Sequence, residues 1–167
     1  MPDPAELNDE SMEVAAAISR TARSSGHTVA VAESLTSGAI ASHLGASEAS
    51  SEWFAGGVVA YAKKVKFDVL AVAPGPVVTD SCARQMASGV ARLTSADLAV
   101  AVTGVGGPDP EEGKPAGTVF IAVSSRTGVR SEEFRFDGDP TEVVRATTLE
   151  ALRMLAAEGA ALGPTAG

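Results

Sequence analysis

Runs of β-branched and small apolar residues alternate along this chain with segments whose apolar residues recur at helical spacing, and that alternation restricts the fold to an α/β architecture. From Ser11 to Ser25, Met12, Ala15, Ile18 and Ala22 trace one helical stripe, and Gly26 follows as a helix-ending residue. HTVAVA then predicts a strand with His27 at its start, and TSGAIASHLG predicts a helix that stops at Gly45. Between Trp53 and Val72 two readings stay open: GGVVAY is strand-like, whereas KKVKFDVLAV suits either a short helix or a loop.

After the turn-forming APGP, Thr79 is placed to N-cap a helix whose apolar face carries Cys82, Met86, Val90 and Leu93. A strand, DLAVAVTG, and a Gly- and Pro-rich loop from Gly104 to Gly117 follow. GTVFIAVSS and VRSEEFRF, with Thr-Gly between them, predict a hairpin whose charged second strand lies at a sheet edge. Asp139, Pro140 and Glu142 read as N-cap, N1 and N3 of a last helix, with Val144, Thr148, Leu152 and Leu155 on its buried stripe. The expected fold is a three-layer αβα sandwich around a mixed, largely parallel sheet. One domain is expected over residues 1–167, with residues 1–8 and 160–167 frayed.

Composition narrows the function. A formal net charge of −8 opposes binding to nucleic acid or to an anionic membrane surface, although a local cationic pocket can still hold a small anion. The single cysteine, Cys82, rules out an intrachain disulfide or a cysteine metal cluster. The opening MPDPAELNDE lacks the basic and apolar regions of a signal peptide, and no apolar run approaches membrane-spanning length. A cytoplasmic protein is expected.

In open α/β sheets, ligands collect beyond the carboxyl ends of the strands. Two such ends are chemically suggestive, AESLTSG after the first strand and TGVGGP after DLAVAVTG. Ser34 at a strand-to-helix turn is a candidate nucleophile; the plainer reading of the pattern is that Ser34 or Thr36 caps the helix. The segment is not the G-x-S-x-G elbow. A histidine base is poorly supplied, since His27 begins the strand and His43 lies far down the following helix. Lysine is the other common base, and Lys63, Lys64 and Lys66 cluster in YAKKVK. Such a role needs the amine pKa brought down from about 10.4 towards 7 by burial or neighbouring positive charge; solvated surface lysines are the alternative. TGVGG lacks the spacing of a phosphate loop, and Asp109, Glu111 and Glu112 have no histidines nearby, so no metal site is expected.

In this order, VAVAESLTSG, SSEWFAGGVVAYAKKVK, MASGV, VTGVGGP and KPAGTVFIAV resemble the CinA C-terminal domain family, the nicotinamide-nucleotide amidohydrolases. The resemblance implies an αβα sandwich and a cytoplasmic enzyme that converts nicotinamide mononucleotide to nicotinate mononucleotide and ammonia, without cofactor or metal. It further implies a catalytic serine and lysine pair. Ser34 matches the serine of the family segment A-E-S-x-T-G-G, Lys66 its lysine, and Tyr61 the tyrosine before that lysine. Lys66 is then the base, acting directly or through Tyr61, and amide groups near Thr36 to Gly38, or in the glycine loop opened by Thr103 and Gly104, hold the oxyanion. Glu33 either accepts a substrate hydroxyl or supports the helix N-terminus, so the substrate-binding set is Glu33, Thr36, Gly38, Thr103 and Gly104.

Leu35, Ser37, Lys63 and Pro140 depart from the family pattern, and these departures bear on substrate choice more than on fold. Two other functions stay open: the same serine and lysine chemistry on another amide, or a silent domain that binds a nucleotide or a protein. The family also occurs as the second half of a longer protein, and a stand-alone form is expected here. It commonly self-associates, which implies a homodimer or larger homo-oligomer; the apolar EWFAGG reads as an interface or as a core edge.

Overall fold

The computed structural model describes residues 3–165. Along them run α1 (Pro4–Ser25), β1 (Val29–Glu33), α2 (Ala39–Gly45), α3 (Ser50–Trp53), β2 (Phe54–Val59) and α4 (Lys63–Asp68). There follow α5 (Asp80–Thr94), β3 (Leu98–Gly104), β4 (Thr118–Ser125), β5 (Gly128–Arg135) and α6 (Pro140–Leu162). One sheet takes the order β2-β1-β3-β4-β5. β1 is parallel to β2 and to β3, whereas β4 is antiparallel to both β3 and β5. β4 alone therefore runs against the other four strands, which is the mixed, largely parallel sheet expected from the sequence.

The inner strands are buried on both faces, and their residues alternate by size rather than by polarity. Val29, Val31, Val100, Val102, Val119, Ile121 and Val123 project into a core shared with Ile18 of α1, Ile40 and Leu44 of α2, and Leu152 and Leu155 of α6. Ala30, Ala32, Ala99, Ala101 and Ala122 face the other way, against Cys82, Ala83, Met86 and Val90 of α5. Alanine on that face lets α5 lie close to the sheet. Each fully buried valine or leucine contributes about 1.5–3 kcal/mol against its exposed state, so the two layers together hold the sheet between helices.

The structure corrects several expectations. α1 begins at Pro4, because the Asp3 side chain accepts from the Ala5 amide while Glu6 accepts from the Asp3 amide, a closed capping box. Pro4 to Asn8 are therefore helical rather than frayed, and α6 continues through Leu162. Residues 1, 2, 166 and 167 of the expected frayed ends lie outside the described residues. Met12 and Leu93 are exposed; α1 turns Leu7, Ser11, Ala15, Ile18 and Ala22 inward instead. Val143, not Val144, is fully buried on α6.

KKVKFD is helical, settling that open segment, and β2 starts at Phe54 and stops before Ala60. Trp53 is buried and its indole N–H donates to the Glu48 carbonyl, so EWFAGG is a core edge at that residue. The hairpin turn is Arg126–Thr127, with Ser125 paired to Gly128. No helix among the described residues is long and apolar enough to cross a membrane.

Candidate active site

Where β1 ends, the chain must turn sharply before α2 can begin. Ser37 and Gly38 take left-handed φ values of 51° and 103°, so the helix starts at Ala39 rather than at Thr36. No side chain caps α2 from the N-cap position. Glu33 does so from the strand: its fully buried carboxylate accepts from the amides of Ile40 at 3.0 Å and Ala41 at 2.9 Å. A carboxylate there satisfies two orphan donors and opposes the positive end of the helix. Both Glu33 carboxylate oxygens are thus engaged by the start of the helix. Of its two sequence readings, the helix-supporting one is what the structure shows.

Ser34, the next residue, opens onto a cavity of about 420 Å³. The other half of the pair comes from α4. Lys66 is 2% exposed, and its Nζ donates to Ser34 Oγ at 3.0 Å, to the Ala60 carbonyl at 2.7 Å and to the Tyr61 carbonyl at 3.0 Å. The Ala60 amide in turn donates to the Glu33 carbonyl at 2.7 Å, which locks the ends of β1 and β2 together.

Burial pushes the Lys66 pKa below its ordinary value of 10.5. Cys82, Glu111 and Glu112 pull the other way, and the Lys63 charge adds to the lowering. Once neutral, an amine held by two carbonyl acceptors keeps its lone pair on the remaining direction, towards Ser34. The arrangement can take a proton from the serine hydroxyl and return it to a leaving group.

The other expected site residues separate into those at the cavity and those that only build it. Tyr61 is 67% exposed at the cavity wall and meets Lys66 through its backbone carbonyl, while Lys66 Nζ contacts Ser34 Oγ directly. Thr103 lines the cavity, but its hydroxyl donates to the Val77 carbonyl at 2.7 Å. Gly104 also lines it, where a Cβ would come within 2.5 Å of the Thr118 carbonyl oxygen. Gly38 shapes the turn. Thr36 is buried, with no hydrogen-bond partner for its hydroxyl among the described residues. Neither His27 nor His43 lines the cavity.

One contributor escaped the sequence reading. Glu112, in the Gly- and Pro-rich loop, accepts from the amides of Val77 at 3.0 Å and Val78 at 2.7 Å, with the Lys63 ammonium 3.5 Å away. Burial raises its pKa, yet the two amides and Lys63 outweigh burial and leave it below the ordinary carboxylate value. The glycine loop is thereby pinned across the turn that precedes α5. Nothing in a stretch such as PDPEEGKP shows which of its carboxylates meets two amides that lie far away in the chain.

Residues 11–158 match the family model described as the CinA C-terminal domain. A protein of Desulforamulus reducens named for competence-damage induction is 44% identical over 134 residues, 77% of this chain and 33% of its own length. A CinA-like protein of Geobacter sulfurreducens is 38% identical over 145 residues, 83% of this chain and 35% of its own length. The chain thus spans about a third of the length of these curated relatives.

Among solved structures, competence damage-inducible protein A from Klebsiella pneumoniae matches with a TM-score of 0.86 at 33% identity, over 90% of this chain and 97% of that one. The competence/damage inducible protein CihA from Agrobacterium tumefaciens matches with a TM-score of 0.84 at 36% identity, over 89% and 94%. Sequence and fold agree over the same span that carries Ser34, Lys66 and the glycine loop, and the chain belongs to the CinA C-terminal domain family.

Proposed function

We propose that this domain is a serine amidohydrolase that converts nicotinamide mononucleotide to nicotinate mononucleotide and ammonia. The observation that carries the reading is the 3.0 Å contact between Lys66 Nζ and Ser34 Oγ in a nearly water-free position at a cavity wall. A lysine with no catalytic use costs little when it stays in solvent, whereas burial of its amine is costly and is offset here by three acceptors. The cavity volume lies within the range of small-molecule sites.

In the proposed reaction neutral Lys66 accepts the Ser34 proton as Oγ attacks the carboxamide carbon. The oxyanion meets backbone amides: among the described residues, those of Leu35 and Gly106 have no hydrogen-bond partner, and both residues line the cavity. As the intermediate collapses, the Lys66 ammonium gives its proton to the departing nitrogen, and ammonia leaves. Water then attacks the acyl-enzyme, passing one proton to Lys66, which returns it to Ser34 as the acid is released; the acid gives its own proton to solvent and becomes the carboxylate. The exposed Tyr61 ring offers an aromatic face to the pyridinium, and Asp109 and Glu111 on the same wall complement its positive charge.

The test is ammonia release from nicotinamide mononucleotide by the purified protein, with Ser34→Ala as the control. Activity that disappears in the variant, with circular dichroism unchanged, supports the reaction and the nucleophile together. Equal release by both proteins, or none from a folded wild type, overturns the assignment.

A further inference from the structure

Ionisable side chains on the cavity wall are few, and they divide unevenly in what they are free to do. Lys66 is committed to Ser34 and two carbonyls and must be neutral to work, so it offers no charge to a substrate. Asp109 and Glu111 repel an anion. The chain as a whole carries a net charge of −8, so no long-range field gathers one. Lys114 is drawn over the Phe120 ring, 5.9 Å from its centroid. That leaves Lys63, in the first turn of α4 and three residues before Lys66, hence on the same helical face.

The Lys63 side chain is 58% exposed, and its ammonium lies 3.5 Å from Glu112. Both Glu112 oxygens already accept from backbone amides, so the carboxylate holds the ammonium at the rim without enclosing it. A phosphate monoester carries up to two charges and three acceptor oxygens, and competes well for a lysine held this loosely.

Resting on the amidohydrolase reading, we infer that Lys63 is the anion anchor of the site, which selects amide substrates bearing a phosphate on the arm that points away from Ser34. Its charge, which also adds the smallest of the contributions to the Lys66 pKa, is placed to act on substrate choice; the bond chemistry stays with Ser34 and Lys66.

The experiment compares binding of nicotinamide mononucleotide and of nicotinamide riboside, its form without phosphate, to Ser34→Ala protein by calorimetric titration. The mononucleotide is expected to bind about tenfold tighter or better, with the gap narrowing as salt is raised. Lys63→Gln in the Ser34→Ala background closes the gap and leaves riboside affinity unchanged, and Lys63→Arg keeps most of it. Thermal midpoints confirm that each variant is folded. Equal weakening of both ligands by Lys63→Gln, an unchanged gap, or binding of neither ligand overturns the inference. A Lys63-dependent gap in a protein whose wild type releases no ammonia would leave the anchor standing and sink the amidohydrolase reading alone.

Discussion

Ser34 and Lys66 stand thirty-two residues apart in the chain and 3.0 Å apart in space. Each follows one of two neighbouring parallel strands, and Glu33, the last residue of β1, is in register with Val59, the last of β2. Ala60 completes the coupling: its amide binds the Glu33 carbonyl and its carbonyl binds Lys66 Nζ. The distance between nucleophile and base is therefore a property of strand register. A slip of one residue would exchange the half-buried and exposed faces of β2, so the packing that fixes the register also fixes the site.

The pH dependence of the reaction follows from Lys66. Burial places its pKa below 10.5, and only the neutral amine accepts the Ser34 proton, so kcat/KM rises with pH through that lowered value and levels off above it. Lys66→Arg keeps a charge at every accessible pH and is expected to be inactive throughout. Stability carries the same signature. Between the lowered folded pKa and the unfolded value the unfolded chain binds more protons, so stability rises with pH across that window. Urea titrations at several pH values should show this slope in the wild type and its loss in Lys66→Met.

Glu33 is predicted to matter for position rather than for substrate contact. Glu33→Ala strands the Ile40 and Ala41 amides in a buried setting, at about 1–3 kcal/mol for each unmet group. Glu33→Gln keeps one acceptor oxygen and should lose less. Chemical denaturation gives the stability. The accompanying fall should be in kcat with KM little changed, because the turn that aims Ser34 loosens while the cavity wall persists. A change in KM alone would return Glu33 to the role of substrate acceptor.

How much of this was legible depends on whether the relevant partner is local. Asp139-Pro140-x-Glu142 announced α6 because a capping box is closed within four residues, and the same D-P-x-E pattern at Asp3 to Glu6, passed over as a frayed end, starts α1 by the same physics. The strands and the three-layer fold were legible for a similar reason. Local periodicity misassigned Met12 and Leu93, which share the helical spacing of their buried neighbours but turn towards solvent. Ser34 and Lys66 carried a chemical type, and the resemblance singled them out; no pattern within YAKKVK distinguishes the buried lysine from its exposed neighbours. Glu33, Tyr61 and Glu112 depend on partners fixed only when the chain closes. For that reason their roles emerged from hydrogen bonds and not from spacing.

Glu112 should hold the glycine loop with a pH dependence of its own. The Val77 and Val78 amides and Lys63, outweighing burial, keep its pKa below the ordinary 4.5. Its contribution to stability is therefore complete above that unfolded value and fades as pH falls through the lowered one. Hydrogen exchange at the Val77 and Val78 amides, slow at neutral pH, should quicken on acidification and be fast at all pH values in Glu112→Ala. Exchange that is unaffected by the substitution would show that the loop is held by other contacts.

Gly104 and Gly106 lie two residues apart in the same loop entrance, yet substitution should separate them. A Cβ on Gly104 meets the Thr118 carbonyl oxygen at 2.5 Å and the Val119 Cα at 2.8 Å, because β3 and β4 close together at that pair. Backbone on both sides cannot yield as a side chain would, so Gly104→Ala is expected to cost about 1–3 kcal/mol and to splay the strands beneath the cavity. A Cβ on Gly106 meets nothing within 4 Å, and neither glycine has a left-handed φ. Gly106→Ala should leave stability within about 0.5 kcal/mol of wild type. Because Gly106 lines the cavity, its effect should fall on turnover instead. Paired denaturation and ammonia-release measurements on the two variants would thus tell a glycine required by the sheet from one required by the reaction, and equal stability losses would refute the distinction.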